Sequence, residues 1–261
     1  MRRLVLVAAF VAAVAAGGAA AKSPWPGLAG SVSDANHLVR YVAGRANGST
    51  TVYAVRHGRV SASLKVDGSW GIPAVTSTGA AGGLSADGRT LVLVEPLAYR
   101  GLRTQSRFLV LATSPLAVRA TIELKGEFSF DALSPNSRWL FLIQHVSAED
   151  LVAYRVRGYD LQKRRLLPGA IVAKGEGETM RGYPVARATS STGVWVYTLY
   201  HRDSGKPFVH ALDAAQRFAV CIDLPTRAAN GLRLSPDGRY LAVRLNGTAV
   251  ATIDTRSFKV T

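Results

Sequence analysis

Leu234-Ser235-Pro236-Asp237-Gly238-Arg239-Tyr240-Leu241-Ala242-Val243 reads as the end of one strand, a tight turn and the start of the next. Gly238 accepts positive φ, Asp237 can hydrogen-bond the turn backbone, and Pro236 fixes φ where the turn begins. The phrase returns as Leu84-Ser85-Ala86-Asp87-Gly88-Arg89 before Thr90–Val94, and as Leu133-Ser134-Pro135-Asn136-Ser137-Arg138 before Trp139. Weaker copies start at Val32 and Ala188. The starts at 32, 84, 133, 188 and 234 are separated by 52, 49, 55 and 46 residues. A fixed period of this size marks a repeat architecture, and about 40–50 residues is the length of a four-stranded propeller blade.

Each unit offers the same succession of segments rich in Val, Leu, Tyr, Phe and Trp, bounded by Gly, Pro, Asp and Asn. The strands expected after each turn are 38–43, 51–56 and 59–66; then 90–94, 107–112 and 118–124; then 139–144, 151–159 and 165–172; then 194–200, 208–212 and 217–224; then 240–245, 249–254 and 259–261. No segment beyond the N-terminus shows helical periodicity. The expected fold is all-β: a propeller of five blades, each of four antiparallel strands. The turn needs Asp87 and Asp237 for its own geometry, so neither is read as catalytic.

The first 21 residues read differently. Arg2 and Arg3, an apolar run over 4–16 and Ala19-Ala20-Ala21 before Lys22 form a signal-peptide pattern. An uncleaved N-terminal anchor is the alternative, and no Cys stands there for a lipid anchor. The expected organisation is a signal peptide at 1–21 and one propeller domain at 22–261, with a secreted, periplasmic or envelope-associated location. The chain has 32 Lys+Arg against 17 Asp+Glu, a formal +15; removing Arg2 and Arg3 leaves +13. Outside the cytoplasm such a charge points to anionic headgroups or envelope polymers rather than nucleic acid. Lys163-Arg164-Arg165 is the one basic run; the rest are dispersed over a solvated surface. Cys221, the sole cysteine, rules out an internal disulfide and reads as a small buried thiol in a strand.

The Leu-Ser-Pro-Asp-Gly-Arg phrase before an apolar strand resembles the WD-repeat-like propellers of the TolB C-terminal domain and related exported bacterial proteins. The resemblance covers most of residues 25–261. It implies a propeller and leaves function open, since these scaffolds carry many functions. TolB-type propellers have six blades and lactonase-type ones seven, so five registers do not carry a family site across. No TolB-like α/β domain precedes the repeats in this sequence.

In a propeller the strand just before each turn phrase lines the central channel. That places 28–32, 78–84, 129–133, 183–188 and 231–234 innermost. Among them stand a single acid, Asp131, together with Tyr183, Arg187 and Arg233. Glycoside cleavage needs two carboxylates about 5–10 Å apart, so one acid among arginines does not make that site. There is no Gly-x-Ser-x-Gly elbow, no His-Glu-x-x-His and no Cys pair, and His37, His57, His145, His201 and His210 are scattered. No metal or cofactor is expected. Asn47-Gly48 and Asn246-Gly247 read as hairpin turns rather than glycosylation sites.

Two readings of Arg187, Arg233, Asp131 and Tyr183 follow: a cationic channel-mouth pocket for a carboxylate or phosphate, or ion pairing that only satisfies the channel lining. Residues 175–182 form a second candidate surface. The expected function is an exported, non-catalytic, monomeric module binding a protein, a peptide or an anionic envelope polymer, with contact to a membrane surface as an option. The alternatives are a lactonase or glycoside-processing enzyme resting on Asp131, and a fragment of a larger closed ring.

Overall fold

The computed structural model describes residues 27–96, 102–150, 152–172 and 177–261. The expected signal segment lies outside the described residues. Within them the fold is all-β, with no helix, and its sheets follow the repeat. Five antiparallel sheets succeed one another along the chain. The first runs Ser31–Ser33, Val39–Ala46, Ser49–Arg56, Arg59–Asp67. The second holds Thr90–Val94, Gln105–Thr113 and Leu116–Lys125. The third is Glu127–Leu133, Trp139–His145, Ala153–Asp160 and Arg165–Leu166, with Met180–Arg181 added beside Ala153–Tyr154. The fourth is Tyr183–Thr189, Trp195–His201, Phe208–Asp213 and Phe218–Asp223. The fifth is Gly231–Leu234, Tyr240–Leu245 and Thr248–Asp254. Residues 259–261 form its outer edge, as Thr252 and Thr261 exchange backbone hydrogen bonds of 2.7 and 2.9 Å.

The repeated phrase makes one turn five times. The backbone N–H of Ser85, Ser134, Ser190 and Ser235 donates to the carbonyl five residues on at 2.8–2.9 Å, and Asp34 does so at 3.0 Å. The hydroxyl of Ser85, Ser134 and Ser235 donates to Asp87, Asn136 or Asp237 at 2.6–2.8 Å. The same oxygen accepts the N–H of Thr90, Trp139 or Tyr240 at 2.9–3.0 Å. The fourth residue of the turn has positive φ in every copy, after an acid or amide in four (His37, Gly88, Ser137 and Gly238) and after Thr192 in the other (Gly193). Only glycine adopts that conformation without strain, which explains its place in three of the five.

Apolar clusters join consecutive sheets. Leu91, Leu109 and Leu111 of the second sheet meet Tyr41 and Val52 of the first. Val92, Phe108 and Val110 meet Phe128, Phe130 and Leu142 of the third. Phe141, Tyr154 and Val156 meet Val196, Tyr200 and Phe208 of the fourth. Tyr197, Leu199 and Val209 meet Leu241, Val243 and Ile253 of the fifth. The inner sheets are therefore buried on both faces, and Thr90–Val94 and Phe208–Asp213 read as near-continuous buried runs. The end sheets alternate. Val39 and Tyr41 are buried while Arg40 is exposed; Leu241 and Val243 are buried while Tyr240 is exposed. No apolar cluster among the described residues joins the fifth sheet to the first.

The innermost segment expected at 78–84 is not a strand. Gly71 and Val94 exchange backbone bonds of 2.9 and 3.0 Å, and Val92 donates to Gly83 at 2.7 Å. Between these two points residues 72–82 leave the second sheet. Ile72–Pro73 pairs with Leu28–Ala29, Gly82 lies against Phe130, and Ser77 and Thr78 bond the carbonyls of Pro184 and Val185 at 2.8 and 3.0 Å. A side chain at Gly83 would meet the Val92 carbonyl oxygen, and its φ of +93° belongs to glycine. The strand expected at 165–172 is likewise cut to Arg165–Leu166, because Pro168 cannot donate and Gly169 turns the chain at φ +70°.

Ser134 is fully buried and holds the N–H of Trp139. Ser134→Ala is expected to cost about 1–3 kcal/mol in urea unfolding, and Ser235→Ala at its exposed turn less than half as much. Equal losses at both sites would refute the role of the hydroxyl as sole partner of a buried N–H.

Candidate functional site

The third and fourth sheets enclose a row of buried polar side chains in an otherwise apolar interface. Register builds it. Arg187 lies opposite Thr198, Thr198 opposite His210, and His210 opposite Cys221, so one row crosses all four strands of the fourth sheet. Directly opposed residues share a face, and this face is turned to the third sheet. Thr198 and His210 are each 2% exposed.

Asp131 closes the inner end of the row. It is the extra residue of a bulge between Phe130 and Ala132, and bulges re-aim side chains. Its carboxylate accepts from Arg187, which also donates to the Asp131 backbone carbonyl. The side chains are 3% and 11% exposed, so the pair is buried. Beside it Tyr154 stacks on Tyr200 at 5.1 Å, and Tyr200 on Phe208 at 5.3 Å. Burial first, then the Asp131 charge, pushes the Tyr200 phenol well above its ordinary value. Burial lowers His210 to about 4; Asp131 opposes that shift and Arg187 adds to it. Both tyrosines and the histidine are thus neutral at ordinary pH, and the one full charge pair is Asp131–Arg187.

The outer end of the row opens on a cleft of about 550 Å³ lined by Met180, Arg181, Arg202, Phe208, Cys221 and Asp223, among others. Its wall includes Gly177, Thr179, Met180 and Arg181 of the segment expected to be a candidate surface; 175–176 lie outside the described residues. Arg202 stacks over Phe208 at 4.4 Å and bonds Asp223 at 2.9 Å, while Arg181 pairs with Asp150. The cleft is therefore balanced in charge.

Of the four inner-strand residues, the structure brings Asp131 and Arg187 together. Tyr183 starts the same strand as Arg187, half-buried, with its ring edge-on to His201 at 5.7 Å. Arg233 stands apart. Leu232 and Leu234 pack toward the fourth sheet, so alternation turns Arg233 to the opposite, exposed face of the fifth. Thr198, His210, Tyr154 and Tyr200 were not singled out from sequence. The signal available was His210 in phase with Phe208 and Leu212, a histidine on a buried face. Among the described residues no three His, Cys, Asp or Glu side chains converge as a metal cluster.

No protein-family model and no curated protein matches the chain by sequence. Solved structures do match in fold. A candidate 6-phosphogluconolactonase from Bacteroides uniformis ATCC 8492 shares 13% identity over 88% of this chain and 68% of its own, with a TM-score of 0.51. The Dos1 propeller shares 12% over 89% and 56%, with a TM-score of 0.52. TolB from Acinetobacter baumannii shares 10% over 90% and 53%, at 0.47. The fold is that of a β-propeller. At these identities the likeness reaches no further than the fold.

Two outcomes follow. Asp131→Asn or Arg187→Met leaves a buried charge without its partner and is expected to cost about 3–5 kcal/mol, whereas Asp131→Leu with Arg187→Met costs less than either alone. A double variant as damaged as the sum of the singles would refute the pairing. Second, His210 binds its proton more weakly folded than unfolded, where its value is 6.5. Stability from this group is full above about 6.5 and falls as pH drops toward about 4. His145, lowered by burial and then by Arg103, acts in the same direction. Urea midpoints between pH 7 and 4, in chelator-containing buffer, should fall less steeply for His210→Gln than for the parent; parallel curves would refute the assignment.

Proposed function

We propose that the chain is an exported, non-catalytic five-bladed module that binds a polyanion: an acidic segment of a partner protein or peptide, or an anionic envelope polymer. The observation that carries this reading is the pair of outward faces on the end sheets. The first sheet turns Arg40 and Lys65 outward beside Tyr53, and the fifth turns Arg233 outward beside Tyr240 and Val250. Arg40, Lys65 and Arg233 have no carboxylate partner among the described residues, in contrast to Arg103, Arg187 and Arg239, whose charges are taken by Glu127, Asp131 and Asp254. Unpaired cations flanked by exposed aromatic and apolar side chains suit a ligand carrying repeated negative charge. The signal pattern at 1–21 supports export, and the formal +13 of the remainder supports long-range attraction.

Asp131, Arg187 and Tyr183 take a supporting part in this reading. The Asp131–Arg187 pair fixes the third and fourth sheets against each other, Tyr183 packs with the cluster between the fourth and fifth, and Arg233 supplies charge to the ligand. The enzymatic alternative of lactonase or glycoside-processing type draws on the fold shared with the candidate lactonase and on Asp131. Its carboxylate is bound by Arg187, and among the described residues no second carboxylate shares that pair, so the binding reading has the firmer support.

Poly-glutamate is a suitable probe. Binding is expected at 50 mM salt and is expected to weaken about tenfold or more by 200 mM. Arg233→Glu with Arg40→Glu should weaken it further at low salt, without change in the urea midpoint. Salt-independent binding, or equal binding by the double variant, would count against the electrostatic surface.

A further inference from the structure

Besides Met1, the sequence contains one methionine and one cysteine. They meet. The Cys221 thiol lies 3.7 Å from the Met180 sulfur, and both sulfurs line the cleft between the third and fourth sheets. Two elements converge to bring this about. Met180 belongs to the short strand added beside Tyr154, and Cys221 to the outer strand of the fourth sheet. Across from Cys221, on the same face, stands His210, 2% exposed, with Nε2 buried and without a hydrogen-bond partner. A buried imidazole nitrogen lacking a partner is costly and calls for an explanation.

We propose that Cys221, Met180 and His210 form a site for a soft monovalent metal ion of the copper(I) class, reached through the cleft. Thiolate and thioether are the ligands that select such an ion over harder divalent metals, and imidazole completes a three-donor set. The spacing is suitable. Metal–sulfur bonds of about 2.3 Å meeting near the tetrahedral angle place two sulfurs about 3.7 Å apart. Binding replaces the thiol proton: the S–H bond breaks, the sulfur bonds the metal, and the proton leaves to solvent. The cleft gives the ion a path, and Phe208 and Tyr154 shield the sulfurs from oxidants on the buried side. The inference is independent of the polyanion surface, which lies on the end sheets.

The test is an anaerobic titration of the full chain with copper(I), in competition with a chromophoric copper(I) chelator, followed by X-ray absorption at the copper edge. One equivalent should bind, with two sulfur scatterers at about 2.3 Å and one nitrogen. Cys221→Ser, Met180→Leu and His210→Gln should each weaken binding at least about tenfold. Met180→Leu keeps volume and apolarity at a half-buried position, so it reports even where the buried histidine variant fails to fold. Absence of a saturable equivalent, a single sulfur scatterer, or undiminished affinity in Met180→Leu would overturn the site.

Discussion

One serine hydroxyl holds the turn together in three of the five repeats. In Ser85, Ser134 and Ser235 it donates to the acid or amide two residues on and accepts the N–H that opens the next strand. The carbonyl of that residue returns to the serine N–H. Three bonds thus fix where the inner strand ends and the second begins. Strand register carries a period of two, so a slip of one residue here would turn every buried side chain of the sheet to the wrong face. The inter-sheet clusters depend on this local device, and its cost of failure rises with burial: Ser134 is sealed inside, while Ser235 is only half-buried.

Once registers are fixed, the polar row follows without further design in the sequence. Arg187, Thr198, His210 and Cys221 stand on four different strands, separated by 11 to 12 residues, and only the cross-strand pairing aligns them. Buried polar groups demand partners, and the two ends answer differently. The inner end has a carboxylate, delivered by the bulge at Asp131. The outer end has a thioether, delivered by an extra strand that pairs with Ala153–Tyr154. His210 lies between them with a nitrogen still unsatisfied.

This separates what the sequence made legible from what it did not. Turn chemistry and strand alternation are local, so the repeat, the all-β propeller and the order of strands could be read from residues a few positions apart. The part played by Asp87 and Asp237 in turns was legible for the same reason. Residues 72–82 were not. Their glycines and small side chains permit a strand or an excursion, and the choice is made by Phe130, Pro184 and Val185, which lie 48 or more residues away in the chain. Arg187 and Arg233 stand near the same turn in successive repeats, yet they face opposite ways, because Arg187 lies three residues before Ser190 and Arg233 only two before Ser235, and strand alternation turns neighbouring positions to opposite faces.

The end sheets explain why the excess charge matters where it does. An interior sheet is held by two apolar interfaces and an end sheet by one, so local opening is easiest at the ends of such an array. Ordinarily that would argue for apolar contact between the two ends. Here both outward faces present unpaired cations, Arg40 and Lys65 on one and Arg233 on the other. Bringing those faces together would bury like charges, which is costly in a low-dielectric interface. On the proposed reading, a chain of negative charge placed on either face would remove that repulsion and brace the less-supported sheet at the same time. Binding and stability are thus linked: a ligand that prefers the ordered end sheet raises its stability by its own binding free energy.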